Sequence, residues 1–234
     1  MERIDKIISS QGKYTRSEIK KLAAKGKILV DGIVIKKTDM KIDKNNSKII
    51  INGEELDFKE HLYLILNKPK GYVSATEDRR DKTVLDLVPE ELYRDSLFPA
   101  GRLDKDTTGL MIITDDGELA HNILAPKKHI KKIYEVTLDI PVTEKMIEKF
   151  ATGIKLNDGE CKSAILEITG KKTCKVTITE GRYHQIKRMF GCCKAKVIEL
   201  NRICMGKLFL PENLELGECR ELSAEELDLL QKRE

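Results

Sequence analysis

The 234-residue sequence predicts an α+β protein: a small basic head of short helices and strands, then a larger body on a mainly antiparallel sheet. Three observations lead there. After residue 60, strand-like runs of four to six residues outnumber helical stretches. Residues 1–48 carry thirteen Lys/Arg against six Asp/Glu, while the whole chain carries only +4, so the remainder is slightly acidic. The stretch Glu54 to Glu60 is polar and aperiodic, which marks a linker.

Each element of the head has a local cause. Ile4, Ile7 and Ile8 share one helical face. Thr15 with Glu18 three residues on forms a capping box for a second helix, whose buried stripe is Ile19, Leu22 and Ala23 and whose stop is Gly26. Strand residues 27–30 and 33–35 flank Asp31-Gly32, a type I′ turn signal, and Asn52-Gly53 repeats the signal after Ile49-Ile50-Ile51. The domains are accordingly set at 1–55 and 62–234, with a linker at 56–61.

The body reads as follows. Strands are expected at 62–66 (ending in Asn67-Lys68-Pro69), 110–113, 134–138, 164–168, 174–179, 196–200 and 207–210. Helices are expected from Asp115-Asp116-Gly117 to Leu124, from Thr143 to Phe150, over 184–190, and from Ser223, with Glu226 three positions later.

Composition narrows the function classes. With 40% hydrophobic residues the chain can bury a core, and 35% charged residues give it a heavily charged surface. The six cysteines form no CxxC pair, which suits free thiols in a reducing compartment. No run is apolar enough to span a bilayer, and the start MERIDKIISS lacks a signal-peptide core, so a cytoplasmic protein is expected. A monomer is assumed. His121, His129 and His184 are too dispersed for a zinc site, and Asp115-Asp116 reads as turn and cap rather than metal ligands.

The basic head suggests a polyanion partner. Arg3, Lys6, Arg16, Lys20, Lys21 and Lys25 lie on or beside the two helices and can line one cationic surface for phosphates. The plainer reading is a charged helical hairpin. The pattern R-I-D-K-I-I…R-S-E-I-K-K-L…G-K-I-L-V-D-G resembles the S4 RNA-binding domain across roughly the first 50 residues.

The densest chemical signal is the run from Phe98 to Leu110, FPAGRLDKDTTGL. Gly, Arg, Asp and Thr form a loop entering a buried strand, where Thr hydroxyls and backbone N–H groups can orient a carboxylate. Composition alone favours an Asp that caps a turn. The motif G-R-L-D-x-x-T-T-G-L-x-x-x-T-D-D-G, however, resembles the catalytic motif of small-subunit ribosomal RNA pseudouridine synthases. Three further segments match in order: Leu66-Asn67-Lys68-Pro69-x-Gly71-Tyr72, Lys131-Lys132-Ile133-Tyr134, and Glu180 through Phe190.

The resemblance implies an S4-like head and a pseudouridine-synthase catalytic domain that isomerises a uridine of 16S ribosomal RNA. It implies Asp104 as nucleophile or base, Lys187 as the basic residue beside it, with Arg188 the neighbouring alternative, and Tyr134 stacked on the flipped base. Most of the superfamily has Arg at the Lys187 position, so the pairing geometry is open. Arg102 is a candidate wedge into the RNA stack. Lys127, Lys128, Lys131, Lys132, Arg182 and Arg188 are candidate RNA contacts. An isomerisation needs no redox cofactor, and no metal is expected. The partner is ribosomal RNA or the assembling small subunit. The small-subunit assignment rests on the Arg182-Tyr183-His184-Gln185 version of the last motif. A 23S RNA synthase and a non-catalytic ribosome-assembly factor stay open as alternatives.

Overall fold

A computed structural model describes residues 1–125 and 128–232, in two compact units. The first comprises Met1–Leu62 together with Pro89–Leu97, the second Tyr63–Val88 with Phe98–Glu234. The excursion 89–97 was not part of the head as bounded from sequence. It belongs there through Arg94, whose guanidinium donates to Gln11 Oε1 at 2.9 Å and to the Lys59 carbonyl at 3.3 Å.

In the first unit, β1 (Glu2–Arg3) leads into α1 (Ile4–Ser9) and α2 (Arg16–Ala24). The capping box is formed: the Glu18 N–H donates to Thr15 Oγ1 at 3.3 Å and the Thr15 N–H to Glu18 Oε2 at 2.8 Å. β2 (Ile28–Val30) and β3 (Ile33–Val34) are joined by Asp31 and Gly32, both at positive φ (50° and 80°), as a type I′ turn requires. β4 (Lys41–Ile42) pairs with β1; β5 (Ile49–Ile51) and β6 (Glu54–Glu55) complete a sheet of order β3-β2-β5-β6. Ile4, Ile7, Ile8, Ile19, Ala23, Ile28, Ile49 and Ile51 form its core. A buried Ile stabilises by about 1.5–3 kcal/mol, so this apolar cluster is what holds so small a unit together.

The six cations singled out on or beside the two helices, Arg3, Lys6, Arg16, Lys20, Lys21 and Lys25, are exposed. The basic surface is narrower than the sequence suggested, because two are already paired: Arg3 grips Asp5 through Nε at 3.0 Å and Nη2 at 2.7 Å, and Lys6 pairs with Glu2. Arg16, Lys20, Lys21 and Lys25, on or just after α2, carry no ion pair among the described residues.

The second unit contains β7 (Tyr63–Lys68), β8 (Phe98–Pro99), β9 (Thr108–Thr114), α3 (Gly117–Leu124), β10 (Lys132–Leu138) and α4 (Glu144–Thr152). There follow β11 (Lys155–Leu156), β12 (Gly159–Glu160), β13 (Ile165–Ile168), β14 (Thr173–Ile178), α5 (Gln185–Gly191), β15 (Val197–Met205), β16 (Leu208–Phe209), β17 (Cys219–Glu221) and α6 (Ala224–Gln231). The main sheet runs β13-β14-β10-β15-β9-β7-β17, and all its pairings are antiparallel except β15 with β9. Asp116 caps α3 by accepting from the Glu118 and Leu119 N–H groups, each at 2.9 Å, as the turn-and-cap reading expects. No helix among the described residues is long and apolar enough to cross a membrane.

β9 is paired along both edges, by β7 and β15, and is buried from Gly109 to Thr114, so both its faces are covered as well; its rigidity fixes the loop that enters it. The parallel contact sets Arg202 opposite Gly109. Gly109 has φ +100°, and a Cβ there would lie 2.3 Å from the Arg202 carbonyl oxygen and 2.4 Å from Asn201 Oδ1. Glycine at this point of the motif is therefore a packing necessity. β15 continues past Leu200, where the sequence pattern ends, because Arg202 is 1% exposed and donates from Nε to the Leu110 carbonyl at 2.7 Å.

Candidate active site

The loop between β8 and β9 holds Asp104 by its backbone from several sides. Ser74 Oγ donates to the Leu103 carbonyl at 2.8 Å and accepts the Leu103 N–H at 3.0 Å. The Gly71 N–H donates to the Lys105 carbonyl at 2.8 Å. Lys68, fully buried at the end of β7, donates to the carbonyls of Pro69 and Asp104 at 3.1 Å each and of Thr107 at 2.9 Å. Burial lowers its ammonium to about 8, against the pull of the Asp106 and Asp104 charges. The segment after β7 thus clamps the loop through its carbonyls.

The Asp104 side chain is a quarter exposed and has a basic neighbour at each oxygen. Lys187 Nζ lies 2.8 Å from Oδ2, and His184 Nε2 lies 3.3 Å from Oδ1. Lys187 also reaches Asp106 Oδ1 at 2.6 Å. Burial works against its charge, but the bonds to Asp104 and Asp106 outweigh that and hold Lys187 above the ordinary lysine value. Its bond in turn holds the Asp106 carboxyl below the usual carboxylate range. A carboxylate fixed beside an ammonium at the edge of a rigid strand is the kind of group that can act as nucleophile or base.

Lys187, not Arg188, is the partner of Asp104. Arg188 instead forms a fork on Asp158 at 3.1 and 2.5 Å. Arg182 donates to the carbonyls of Asp158 and Glu160. Both arginines therefore brace the β11–β12 hairpin, so the expectation of free phosphate contacts is corrected at these positions. Lys132 is corrected too. It is 7% exposed, its Nζ donates to the Ile130 carbonyl at 3.2 Å, and burial lowers it to about 8. Its alternation on β10 with exposed Glu135 places it on the interior face. Lys131 is half-buried and Arg102 exposed, with no ion pair for Arg102 among the described residues. Lys127 lies outside the described residues.

Tyr134 sits on the interior face of β10, 7% exposed, opposite Val176 on β14 and Arg202 on β15. Its hydroxyl makes no hydrogen bond among the described residues. The threonines do not orient the carboxylate as the loop's composition suggested. Thr107 Oγ1 is buried without a partner among the described residues, and Thr108 Oγ1 donates to Asn201 Oδ1 at 3.1 Å. A cavity of about 510 Å³, lined by Glu135, Thr137, Thr173 and Lys175 among others, includes none of Asp104, His184 and Lys187.

Sequence reasoning missed three contributors. Asp106 lay inside the motif but was unassigned. Lys68 lay in the first matched segment, where a charged residue at a strand end reads as surface. His184 counts in the sequence as a helix start and a part of the last motif, with no contact to Asp104 expected; its position next to Gln185 in that motif was the available signal.

Comparison with known proteins places the chain in a family. Residues 62–191 match the family model described as RNA pseudouridylate synthase, and residues 2–47 match the S4 domain. The chain is 42% identical over 233 residues to an uncharacterized RNA pseudouridine synthase, YtzG, of Bacillus subtilis (strain 168), covering 97% of this chain and 98% of that one. It is 38% identical to ribosomal small subunit pseudouridine synthase A of Escherichia coli (strain K12), covering 96% and 98%. A crystal structure of pseudouridylate synthase superposes with a TM-score of 0.69 at 38% identity, over 98% of this chain and 100% of that one. With the family motif, the Asp104–Lys187 pair and these matches in agreement, the chain belongs to the RNA pseudouridylate synthase family and carries an N-terminal S4 domain.

Proposed function

We propose that this enzyme converts one uridine of 16S, small-subunit ribosomal RNA into pseudouridine, with Asp104 as the carboxylate that starts the reaction. The observation that carries the reading is the Asp104 side chain held 2.8 Å from Lys187 and one quarter open to solvent. The small-subunit target is supported by the relatives that bear that description at 38–40% identity over nearly their whole length.

The isomerisation breaks the bond from ribose to base nitrogen, turns the uracil, and rejoins it through carbon. A carboxylate at the sugar–base junction serves as nucleophile or base, and the ammonium of Lys187, 2.8 Å from it, fixes its position. A uridine in helical RNA reaches it only by leaving the stack, at a few kcal/mol. Arg102, two residues before Asp104, would fill the space the base vacates, a reading its exposure supports. Tyr134, with its hydroxyl unengaged, supplies the ring and the proton-carrying group for the flipped base. The cations of α2 supply backbone contacts in the S4 domain.

The test is a sequencing-based map of pseudouridine in both ribosomal RNAs, with and without the gene. Loss of one site in the small-subunit RNA supports the reading. Loss confined to the large-subunit RNA overturns the target, and an unchanged map overturns the activity.

A further inference from the structure

Tyr183 is an exposed aromatic, at 69%, on the segment that leads into α5. Its ring stacks on His184, with centroids 3.8 Å apart and planes 19° from parallel. His184 takes a left-handed backbone, φ 48° and ψ 35°, which a non-glycine residue adopts only at a cost. That conformation places its imidazole with one face on Tyr183 and Nε2 at 3.3 Å from Asp104 Oδ1.

The backbone around the two rings is pinned. The Arg182 N–H donates to Gln185 Oε1 at 2.9 Å, Gln185 donates to Glu180 Oε1 at 2.8 Å, and Arg188 Nη1 donates to the Tyr183 carbonyl at 3.1 Å. The Tyr183 hydroxyl, by contrast, bonds nothing among the described residues. A rigid support thus presents a bare aromatic face beside the reactive carboxylate, with the exposed cation Arg102 two residues before that carboxylate. Planar, π-faced and polyanionic describes the chemistry that fits: a nucleobase on its phosphate backbone.

We propose that Tyr183 and His184 form a two-ring platform on which a base of the substrate RNA, next to the target nucleotide, stacks. The inner ring lies 3.3 Å from Asp104 Oδ1, on the side of the carboxylate away from the Lys187 contact at Oδ2. The proposal rests on the reading of the chain as an RNA uridine isomerase.

The chain contains no tryptophan, so Tyr183→Trp creates a single fluorescent reporter at this position. Unmodified small-subunit ribosomal RNA, transcribed in vitro, is the probe. The expected results are quenching of that tryptophan on RNA addition, and a KM about 10-fold higher for Tyr183→Leu, a loss typical of one base–aromatic stack. Tyr183→Phe keeps the ring and stays within about twofold of the original KM. Because Tyr183 is largely exposed, the leucine variant folds, which its urea midpoint checks. Absence of quenching together with an unchanged KM for Tyr183→Leu, while the unaltered protein makes pseudouridine on the same RNA, overturns the platform and leaves the activity standing. An unaltered protein that makes no pseudouridine overturns the activity, and the platform with it.

Discussion

Replacing Lys187 by Met removes two charge-assisted hydrogen bonds, at 2.8 Å to Asp104 and 2.6 Å to Asp106, while keeping most of the side-chain volume. Bonds of this kind contribute about 1.5–3 kcal/mol each when shielded. The Asp106 arm is to be discounted, since that carboxylate is 70% exposed and solvent screens it. The Asp104 arm is the shielded one, with both side chains about a quarter exposed. Its loss, about 2 kcal/mol, corresponds to roughly 30-fold in rate. The backbone clamps from Lys68 and Ser74 remain, so the loop that carries the carboxylate is not set adrift. The expected result in single-turnover assays on unmodified ribosomal RNA is a rate about 30-fold lower, with RNA affinity changed less than threefold. Lys187→Arg keeps the charge and recovers part of the rate. Full rate in Lys187→Met, or a loss carried wholly by RNA affinity, would refute the pairing argument and return Lys187 to the role of a phosphate contact.

Other consequences concern stability. Gly109→Ala forces a Cβ onto backbone atoms of β15 at φ +100°, and is expected to cost about 3 kcal/mol in urea unfolding. Gly117→Ala, where a Cβ meets nothing within 4 Å, is the control and should change stability by less than about 0.5 kcal/mol. The two buried lysines, each lowered to about 8, should respond in opposite directions. Lys68→Met strands the carbonyls at 104 and 107 and destabilises by about 3 kcal/mol, whereas Lys132→Met frees only one carbonyl and removes a costly buried charge. For Lys132 the pH dependence has a definite sign. Between about 8 and the ordinary 10.5 the unfolded chain holds a proton that the folded chain has released, so raising pH stabilises the fold. The advantage of Lys132→Met over the unaltered protein is therefore largest below pH 8 and fades toward 10.5, as parallel unfolding series would show.

Much of the fold was legible because local chemistry decided it. Both Asx-Gly turns of the head form, and the Thr15 and Ser223 capping boxes close as their spacing requires. The loop at 98–110 was readable as a carboxylate on a rigid element, and the motif that named its use includes a glycine that packing demands. What stayed hidden depends on contacts between residues far apart in sequence. Lys68 finds acceptors 36 and 39 positions away, and Arg202 finds one 92 away; hydropathy alone reads each as surface. Arg182 and Arg188 looked like phosphate ligands until Asp158 and the β11–β12 hairpin turned out to satisfy them. His184 was read as the start of a helix, yet its left-handed backbone excludes it from α5 and turns its ring to Asp104. Short strands such as β8 and β17 carry too few residues for any periodicity to show.

The most direct measurement replaces Asp104 by Asn, which keeps size and polarity and removes only the charge. With the purified variant and unmodified small-subunit ribosomal RNA, pseudouridine formation should fall at least about a thousandfold while RNA still binds and the urea midpoint holds. Isomerisation at the original rate in that variant would show that this carboxylate is not the group that acts on the uridine.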